Sequence, residues 1–522
     1  MQKNVLIGIG GTGSRVIESV LHLCAAGLGP DKLHIFMIDP DRGNGNLTRT
    51  QSLIKKYTEF RDKWEKAPDR PNSCFKTEII IPQGDEPFVW SIFEDSYATL
   101  GKYINYDNIY QNNRELADLA NVLFTDQELK TSLERGFRGH PSIGAVVMAD
   151  PPMDEYPFKL LWDGIESLGE NDLRVYIVGS IFGGTGAAGF PTLGANQLIK
   201  YNEKANLGEN KSKVLLGGAL VLPYFSFSVE NTANESMFVT ASDFPIATKA
   251  ALQYYNDKDL GFDQYYLIGD SLSQKVGKFS TGASTQNNQP HYIELVSGLA
   301  SFDFFNQPAG DVLNERKYFI ASRDNETVDW GTLPLTRDSS RLHIERKLLK
   351  KLIADFTVFS YTYLTFGKSI LAKSHKEVSL ESWYSMNFRS QYKEDSELYN
   401  PRHNINSPLY ETADQYMNSF LYWICSMDDQ DIVKLIDKTK ILSGDIPDDK
   451  KLKLQDPEIY KGNIGQIVKE DALGSALDFN AFRARGLETS TVKTGTLTAG
   501  SIYLNIFYNA ASEFNKQNSF NS

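Results

Sequence analysis

Two segments of the chain combine an apolar strand pattern, a glycine-rich turn and the start of a helix. The first segment covers residues 5–15, and its turn is Gly10, Gly11, Thr12, Gly13. The second covers residues 175–189, and its turn is Gly183, Gly184, Thr185, Gly186. Glycine lets a ligand approach the backbone closely, and the free N–H groups of a helix N-terminus attract anions. The two turns together predict a triphosphate that is held from two sides.

The order of apolar segments predicts an α/β fold. Strands at 3–9 and 33–38 flank a helix at 15–26, which makes a βαβ unit. Further strands are predicted at 78–81, 174–179, 214–222 and 262–268, a helix at 290–305 and a hairpin at 314–323. This alternation predicts a doubly wound, mostly parallel sheet over residues 1–335, with an insertion of helices and loops at about 43–135. Ligands of such sheets bind at the carboxyl ends of the strands.

The remainder of the chain reads differently. Residues 338–366 show helical spacing of apolar residues and predict one long helix. Helical segments near 411–426 and 501–514 predict a mostly helical C-terminal domain over residues 336–522. Aromatic residues scattered through 383–423 are interpreted as core and interface, or as a docking surface for another protein.

Composition narrows the function classes. The chain has 522 residues and a net charge of −12, which argues against general nucleic-acid binding. The three cysteines, Cys24, Cys74 and Cys425, are far apart and match no metal spacing, as is usual in a reducing compartment. No apolar run is long enough to span a membrane, and the N-terminus shows no charged leader. We therefore expect a cytoplasmic protein.

The first glycine turn alone also fits a dinucleotide site. Gly8, Gly10 and Gly13 match the Gly-x-Gly-x-x-Gly fingerprint, and Asp39 ends the second strand, where such sites place a ribose-binding acid. An NAD-dependent oxidoreductase that uses only this turn is one hypothesis, although the sequence offers no catalytic acid or base for it. A tight turn without a ligand is another. The second glycine turn favours a triphosphate, because a dehydrogenase needs no second phosphate loop.

Five segments, in the right order, resemble the tubulin/FtsZ superfamily. Residues 182–188 resemble its phosphate loop, Gly-Gly-Gly-Thr-Gly-x-Gly, with Phe182 at the first glycine, and residues 10–13 are similar to the first loop of FtsZ. Residues 39–41 stand at its Asn-Thr-Asp loop. The other matches are 135–144, which resembles the loop closing over the γ-phosphate, and 221–227, which resembles its Pro-Phe-x-Phe-Glu segment. The chain looks closest to the divergent bacterial tubulin-like group.

The resemblance implies GTP or GDP with Mg²⁺ as ligands, and both glycine turns as phosphate contacts. Arg138, Gly139 and His140 fall in the γ-phosphate loop, where Arg138 either pairs with the phosphate or is a solvated loop residue. Asp39 and Asp41 are the candidate Mg²⁺ residues, held through water. Asp41 is alternatively a cap for the next helix.

The base-reading positions depart from the family pattern. Asp270 replaces an asparagine that reads guanine, and a carboxylate can still accept from guanine N1 and N2. Glu294 is the candidate second base-reading residue, with a plain surface position as the alternative. His291 and Tyr292 are candidates for stacking on the base.

The best match to the family's catalytic loop is residues 327–333. Asp329 is retained, but the second acid is replaced by Thr332 or Leu333, so we expect slow or absent hydrolysis. The alternative for Asp329 is a residue that only holds a sharp turn. In the family this loop acts on the nucleotide of the neighbouring subunit, which implies head-to-tail self-association into oligomers or filaments.

Two expectations follow for assembly. Asp329 would lie opposite the glycine turns, with Trp330 as an interface anchor. If the chain does not assemble, it would act as a nucleotide-gated scaffold or switch with little hydrolysis, recruiting another protein through its C-terminal region.

Overall fold

A parallel β-sheet organises the first part of the chain in the computed structural model. The structure describes residues 3–67, 73–81, 89–90, 99–133, 136–137, 140–149, 159, 173–192, 214–228, 244–258, 260–270, 274–278, 284, 286–308, 317–334, 346–388, 400–402, 405–428, 430, 432–447, 450–460, 464–468, 478–492 and 497–519. The strands are β1 (Lys3–Ile9), β2 (Lys32–Ile38), β3 (Glu78–Ile80), β4 (Val89–Trp90), β5 (Leu173–Ser180), β6 (Val214–Val221), β7 (Phe225–Ser228), β8 (Gln264–Ile268), β9 (Gln274–Lys278) and β10 (Lys317–Ala321).

Helices surround the sheet and form the C-terminal part. They are α1 (Gly10–Ala26), α2 (Gly45–Lys63), α3 (Leu100–Tyr103), α4 (Tyr106–Asn112), α5 (Arg114–Leu123), α6 (Asp126–Leu129), α7 (Pro141–Val147), α8 (Gly184–Gly189), α9 (Phe244–Asp257), α10 (Tyr292–Asn306), α11 (Arg346–Thr362), α12 (Lys368–Ala372), α13 (His375–Val378), α14 (Ser382–Phe388), α15 (Pro408–Asp428), α16 (Pro457–Tyr460), α17 (Phe479–Arg485) and α18 (Ala499–Ser519). Within the described ranges, no helix is both long and apolar enough to cross a membrane.

The main sheet has eight strands in the order β10-β8-β6-β5-β1-β2-β3, and β4 pairs with β2 beside that path. Every pairing in it is parallel, which confirms the predicted α/β class. From β1 the chain builds outwards to β3 on one side and then from β5 to β10 on the other. The strand order therefore reverses between β1 and β5, and parallel sheets bind ligands in the crevice at such a point.

Glycines in β6 show why helices can pack on both faces of the sheet. A Cβ added at Gly217 would lie 2.6 Å from the Phe304 ring of α10, whereas one at Gly218 would lie 2.6 Å from the Phe190 ring, which follows α8. Successive residues of a strand point to opposite faces, so the two phenylalanines cover opposite sides. The missing side chains give these large rings the space they need, and they fix α8 and α10 on either side of the central strands.

The C-terminal helices lie over α1 and α2. The Tyr416 hydroxyl of α15 donates to the Leu21 carbonyl at 3.1 Å, and the Trp423 indole N–H donates to the Ser19 hydroxyl at 3.2 Å. Helices α15 and α18 confirm the helical segments that the sequence predicts near 411–426 and 501–514. The described part of the predicted long helix is α11, followed by a π-helical turn at Tyr363–Gly367. The division into two domains near residue 335 stays a prediction.

Two segments differ in detail from expectation. Residues 317–321 of the predicted hairpin form a single strand, β10, which pairs in parallel with β8, so the described part of that segment contains no hairpin. Within the predicted insertion at 43–135, α2 packs on α1, and β3 extends the sheet beside β2. The boundaries of that insertion stay a prediction.

Candidate functional site

The two glycine turns meet where the strand order reverses. Helix α1 begins at Gly10, directly after β1, and Gly10 adopts a φ of 70°, a conformation that favours glycine. A Cβ added at Gly10 would lie 3.2 Å from Thr185 Cβ and 3.6 Å from the backbone nitrogen of Gly186. Gly11, Thr12 and Thr185 are partly exposed around this contact. The two turns therefore form one continuous surface.

The starts of α1 and α8 supply backbone donors at this surface. Ile9 and Gly183, which precede α1 and α8, give no side-chain cap to these helices. The first N–H groups of a helix have no partner within the helix, and they carry partial positive charge. The surface can therefore bind an anion through the backbone. The role of each turn residue in binding stays a prediction.

Two of the glycines have a packing reason that is independent of any ligand. A Cβ added at Gly13 would lie 2.7 Å from the carbonyl carbon of Gly8 and 2.8 Å from the Val178 carbonyl oxygen. One added at Gly186 would lie 2.6 Å from the backbone nitrogen of Ser180. Contacts this short cannot be tolerated against backbone atoms. These glycines are needed for the helices to sit on their strands, whereas Gly10 packs against the other turn and Gly11 is partly exposed.

The loop after β2 forms one wall of the crevice. The Asp39 carboxylate accepts from the Asp41 N–H at 3.0 Å and from Asn44 Nδ2 at 3.2 Å, and burial raises the pKa of Asp39 to about 7. The Asp41 carboxylate accepts from the Gly43 N–H at 3.0 Å. The N-cap of α2 is Asn44, so the alternative that Asp41 caps this helix is wrong.

Magnesium binding by Asp39 and Asp41 stays a prediction. Over the described ranges, no group of three or more histidine, cysteine, aspartate or glutamate side chains is placed to hold a metal ion. Both candidate carboxylates already accept hydrogen bonds that shape their own loop.

The loop before α7 closes over the second glycine turn. A Cβ added at Gly136 would lie 3.6 Å from Thr185 Oγ1 and 3.9 Å from Pro40 Cγ. His140 precedes α7, and its Nδ1 lies 3.1 Å from Glu128 Oε1 of α6, a partner that no sequence pattern indicates. Arg138 and Gly139, the other predicted residues of this loop, lie outside the described residues.

Glu294 is enclosed by protein groups. Its carboxylate lies 3.1 Å from Arg15 Nη1, and it accepts from the Tyr224 hydroxyl at 2.8 Å and from the His291 N–H at 3.0 Å. Burial raises the pKa of Glu294, while the charge of Arg15 lowers it, and the rise is the larger effect. The side chain is 1% exposed, so the alternative of a surface position is wrong.

Asp270 is enclosed in the same way. It lies 3.2 Å from Arg323 Nη2 and accepts from the Tyr292 hydroxyl at 2.6 Å. His291 and Tyr292 are both buried. Base recognition by Asp270 and Glu294 stays a prediction, and it would require both carboxylates to exchange arginine and tyrosine partners for the base.

Asp329 holds a turn. One of its carboxylate oxygens accepts from the N–H groups of Gly331 and Thr332 and from the Thr332 hydroxyl, each at 2.8 Å. Partial burial raises the pKa of Asp329, but the bonds from Thr332 and Gly331 outweigh it and lower the pKa below its ordinary value. These contacts are the ones expected if Asp329 holds a sharp turn. Its catalytic role stays a prediction.

Two expectations about the Asp329 loop are wrong. Trp330 is 7% exposed, and its indole N–H donates to the Leu435 carbonyl at 2.8 Å, so it anchors the loop to the chain's own C-terminal part rather than facing another subunit. Asp329 also follows the C-terminal end of β10. Because β10 is parallel to the other strands, this loop lies at the same edge of the sheet as the glycine turns, not opposite them.

Comparison with known proteins adds little to this geometry. No protein-family model matches the chain, and no curated protein matches it. Among solved structures, it is similar to CetZ2 from Haloferax volcanii, determined as a GTPγS-bound protofilament, with 13% sequence identity over 62% of this chain and 68% of that one. The TM-score of this comparison is 0.28.

Three further residues form part of the crevice wall, and no sequence motif predicts them. Asn44, Asn46 and Gln286 place their side-chain amides beside Gly11. The sequence signal is only a local richness in amides, since residues 286–289 read Gln-Asn-Asn-Gln. Nothing in the sequence links that stretch to residues 44–46, so only the fold shows that they meet.

Proposed function

We propose that this chain binds a nucleoside triphosphate, with GTP preferred, in the crevice between β1 and β5. The observation that carries the proposal is the contact of the two glycine turns, in which Gly10 packs against Thr185. A ligand seated there faces the N-terminus of α1 and the backbone of the second turn at the same time. Such a surface suits an extended chain of phosphates better than a single anion.

The phosphate groups would be held mainly by the backbone. N–H groups near Gly11, Thr12 and Thr185 supply donors, and the hydroxyls of the two threonines can donate to phosphate oxygens. A charged acceptor makes each of these hydrogen bonds stronger than its neutral counterpart. The preference for guanine, a Mg²⁺ ion at Asp39 and Asp41, and slow hydrolysis through Asp329 belong to this proposal as predictions from the tubulin/FtsZ resemblance.

A nucleotide-gated switch is the second candidate, and one observation favours it over a filament. Val328 forms a parallel β-bridge with Val433, and the Trp330 indole N–H donates to the Leu435 carbonyl. The loop at the crevice edge is therefore attached to the C-terminal part of the same chain. A ligand that shifted this loop would move that part directly. In a head-to-tail filament the loop would instead have to meet the next subunit.

Identification of the bound nucleotide tests the proposal. The purified protein is denatured, and the released small molecules are separated by anion-exchange chromatography. We expect GTP or GDP in near-stoichiometric amount, or, from protein stripped of ligand, uptake of GTP in preference to ATP and NAD⁺. Recovery of NAD(H), or uptake of NAD⁺ alone, would instead support the oxidoreductase that uses only the first turn.

A further inference from the structure

Three side-chain amide nitrogens converge on one point in front of Gly11. The point is the position that a Cβ on Gly11 would occupy. It lies 3.1 Å from Asn44 Nδ2, 3.4 Å from Asn46 Nδ2 and 3.6 Å from Gln286 Nε2. Asn44 and Asn46 belong to the start of α2, whereas Gln286 comes from the segment before α10. We call the space enclosed by Gly11 and these three side chains the amide pocket.

The nitrogens, not the oxygens, face the pocket, because the backbone orients two of the amides. The side-chain oxygen of Asn44 accepts from the Asn46 N–H at 2.9 Å, and that of Asn46 accepts from the Asn288 N–H at 2.9 Å. A backbone N–H is always a donor, so both oxygens are fixed away from the pocket. The third amide follows, because Gln286 Oε1 accepts from Asn44 Nδ2 at 3.3 Å and leaves Nε2 on the other side.

Several of these N–H groups remain available. Asn44 uses both of its hydrogens, on Asp39 and Gln286. Asn46 uses one on Asn288, at 2.9 Å, and so retains one. Gln286 Nε2 donates to no acceptor among the described residues, so it retains two. Asn46 is only 1% exposed, so an unpaired N–H group there carries a free-energy penalty.

We propose that the amide pocket is a phosphate-binding subsite, in which Asn46 and Gln286 donate to an anionic oxygen of the nucleotide. The inference rests on the proposed function and adds a contact that the glycine turns do not supply. The three heavy atoms nearest to the convergence point are all amide nitrogens, which suits a phosphate oxygen, because such an oxygen can accept several hydrogen bonds at once. Bound phosphate would then join α1, α2 and the segment before α10.

The first test fills the pocket without disturbing the fold. In Gly11→Ala the added methyl group occupies the convergence point, while alanine favours the helix that contains it. We expect the protein to remain folded with a small change in melting temperature, because the Asn44 amide, 3.1 Å from the added methyl group, has to shift slightly. The affinity for GTPγS, measured by titration calorimetry, should fall about tenfold or more. Unchanged GTPγS affinity in a stably folded Gly11→Ala protein would overturn the proposal.

The second test reverses the charge preference of the pocket. Gln286→Glu keeps the oxygen that accepts from Asn44 but replaces the free amide by a charged oxygen. We expect the affinity of the variant for GTPγS to be lower than that of the wild type by a factor of about ten or more. The affinity for guanosine, which has no phosphate, should equal that of the wild type. Gln289→Glu is the matched control, because it makes the same substitution on an exposed residue of the same segment. It should change GTPγS affinity less than about twofold, since exposed charges are screened.

The outcomes separate this inference from the function on which it rests. If the wild-type protein binds GTPγS and Gln286→Glu behaves like Gln289→Glu, the amide pocket is not a phosphate subsite, although the nucleotide site stands. If the loss is the same for guanosine as for GTPγS, the pocket contacts the nucleoside rather than the phosphates, and the proposal is wrong. If the wild-type protein binds none of these ligands, both the subsite and the proposed function fail.

Discussion

Removal of Arg15 should destabilise the protein strongly, because its ion pair with Glu294 is buried. The two charged atoms are 3.1 Å apart, and the side chains are 3% and 1% exposed. In Arg15→Met, the Glu294 carboxylate keeps donors from Tyr224 and His291 but loses its counter-charge. Breaking one partner of a buried pair costs about 3–5 kcal/mol of the free energy of unfolding. We expect a loss in this range, measured by urea denaturation at pH 7.

A double-mutant cycle isolates the interaction. Glu294→Gln alone should also be destabilising, because it leaves the Arg15 charge buried. The double variant should lose clearly less than the sum of the two single variants, with a coupling free energy of about 2 kcal/mol or more. If Glu294 has only this structural role, Glu294→Gln should alter stability and leave the preference for GTP over ATP unchanged.

The pair of Lys32 and Glu78 provides a matched control. Its charged atoms are 2.9 Å apart, but the side chains are 49% and 42% exposed. Exposed pairs contribute about 0–1 kcal/mol, so Lys32→Met should cost little. If Arg15→Met lowers the free energy of unfolding no more than Lys32→Met does, burial does not determine how much an ion pair contributes to stability, and the prediction is wrong.

Three further predictions follow from buried groups. Burial raises the pKa of Asp39 from 3.8 to about 7, so ligand-free wild-type protein should lose stability as the pH rises through this window. In urea denaturation, Asp39→Asn should remove this pH dependence, which amounts to as much as about 1.4 kcal/mol of unfolding free energy per pH unit, although it also leaves one of the two donors to Asp39 without an acceptor. Burial lowers the pKa of Lys66, whose ammonium nitrogen has no hydrogen-bond partner among the described residues. Lys66→Met should therefore raise the melting temperature at pH 6, and this gain should shrink as the pH approaches the pKa of free lysine, about 10.4. Trp330→Phe should leave the Leu435 carbonyl without its donor and cost about 1–3 kcal/mol in urea denaturation, whereas an unchanged midpoint would mean that this loop is not fastened to the C-terminal part.

Local patterns predicted the scaffold of this protein well. Apolar runs followed by glycine turns identified β1, β5 and the helices after them, because strand periodicity and turn chemistry are properties of adjacent residues. The parallel sheet followed from the alternation of strands and helices. The meeting of the two turns followed too, since the carboxyl ends of parallel strands share one edge.

Long-range features could not be predicted in this way. The surface alternative for Glu294 was wrong, because the residue is buried against Arg15 and Tyr224, which are distant in sequence. Trp330 was expected at an interface, and its actual partner is the Leu435 carbonyl. The amide pocket unites residues 44–46 with Gln286 and has no motif at all. In each case the decisive contact joins segments that only the folded chain brings together.

Titration of GTPγS into Thr185→Asp and Thr185→Asn tests the central claim, that one ligand contacts both glycine turns. Thr185 lies in the first turn of α8, where an aspartate favours the helix and repels a phosphate. Asparagine is the neutral control of the same size. At about 4 Å, two unit charges near a protein surface repel by as much as about 4 kcal/mol, so we expect the aspartate variant to bind at least about tenfold more weakly than the asparagine variant. Equal affinities in the two variants would contradict the claim, because the ligand would then be held by the first turn alone.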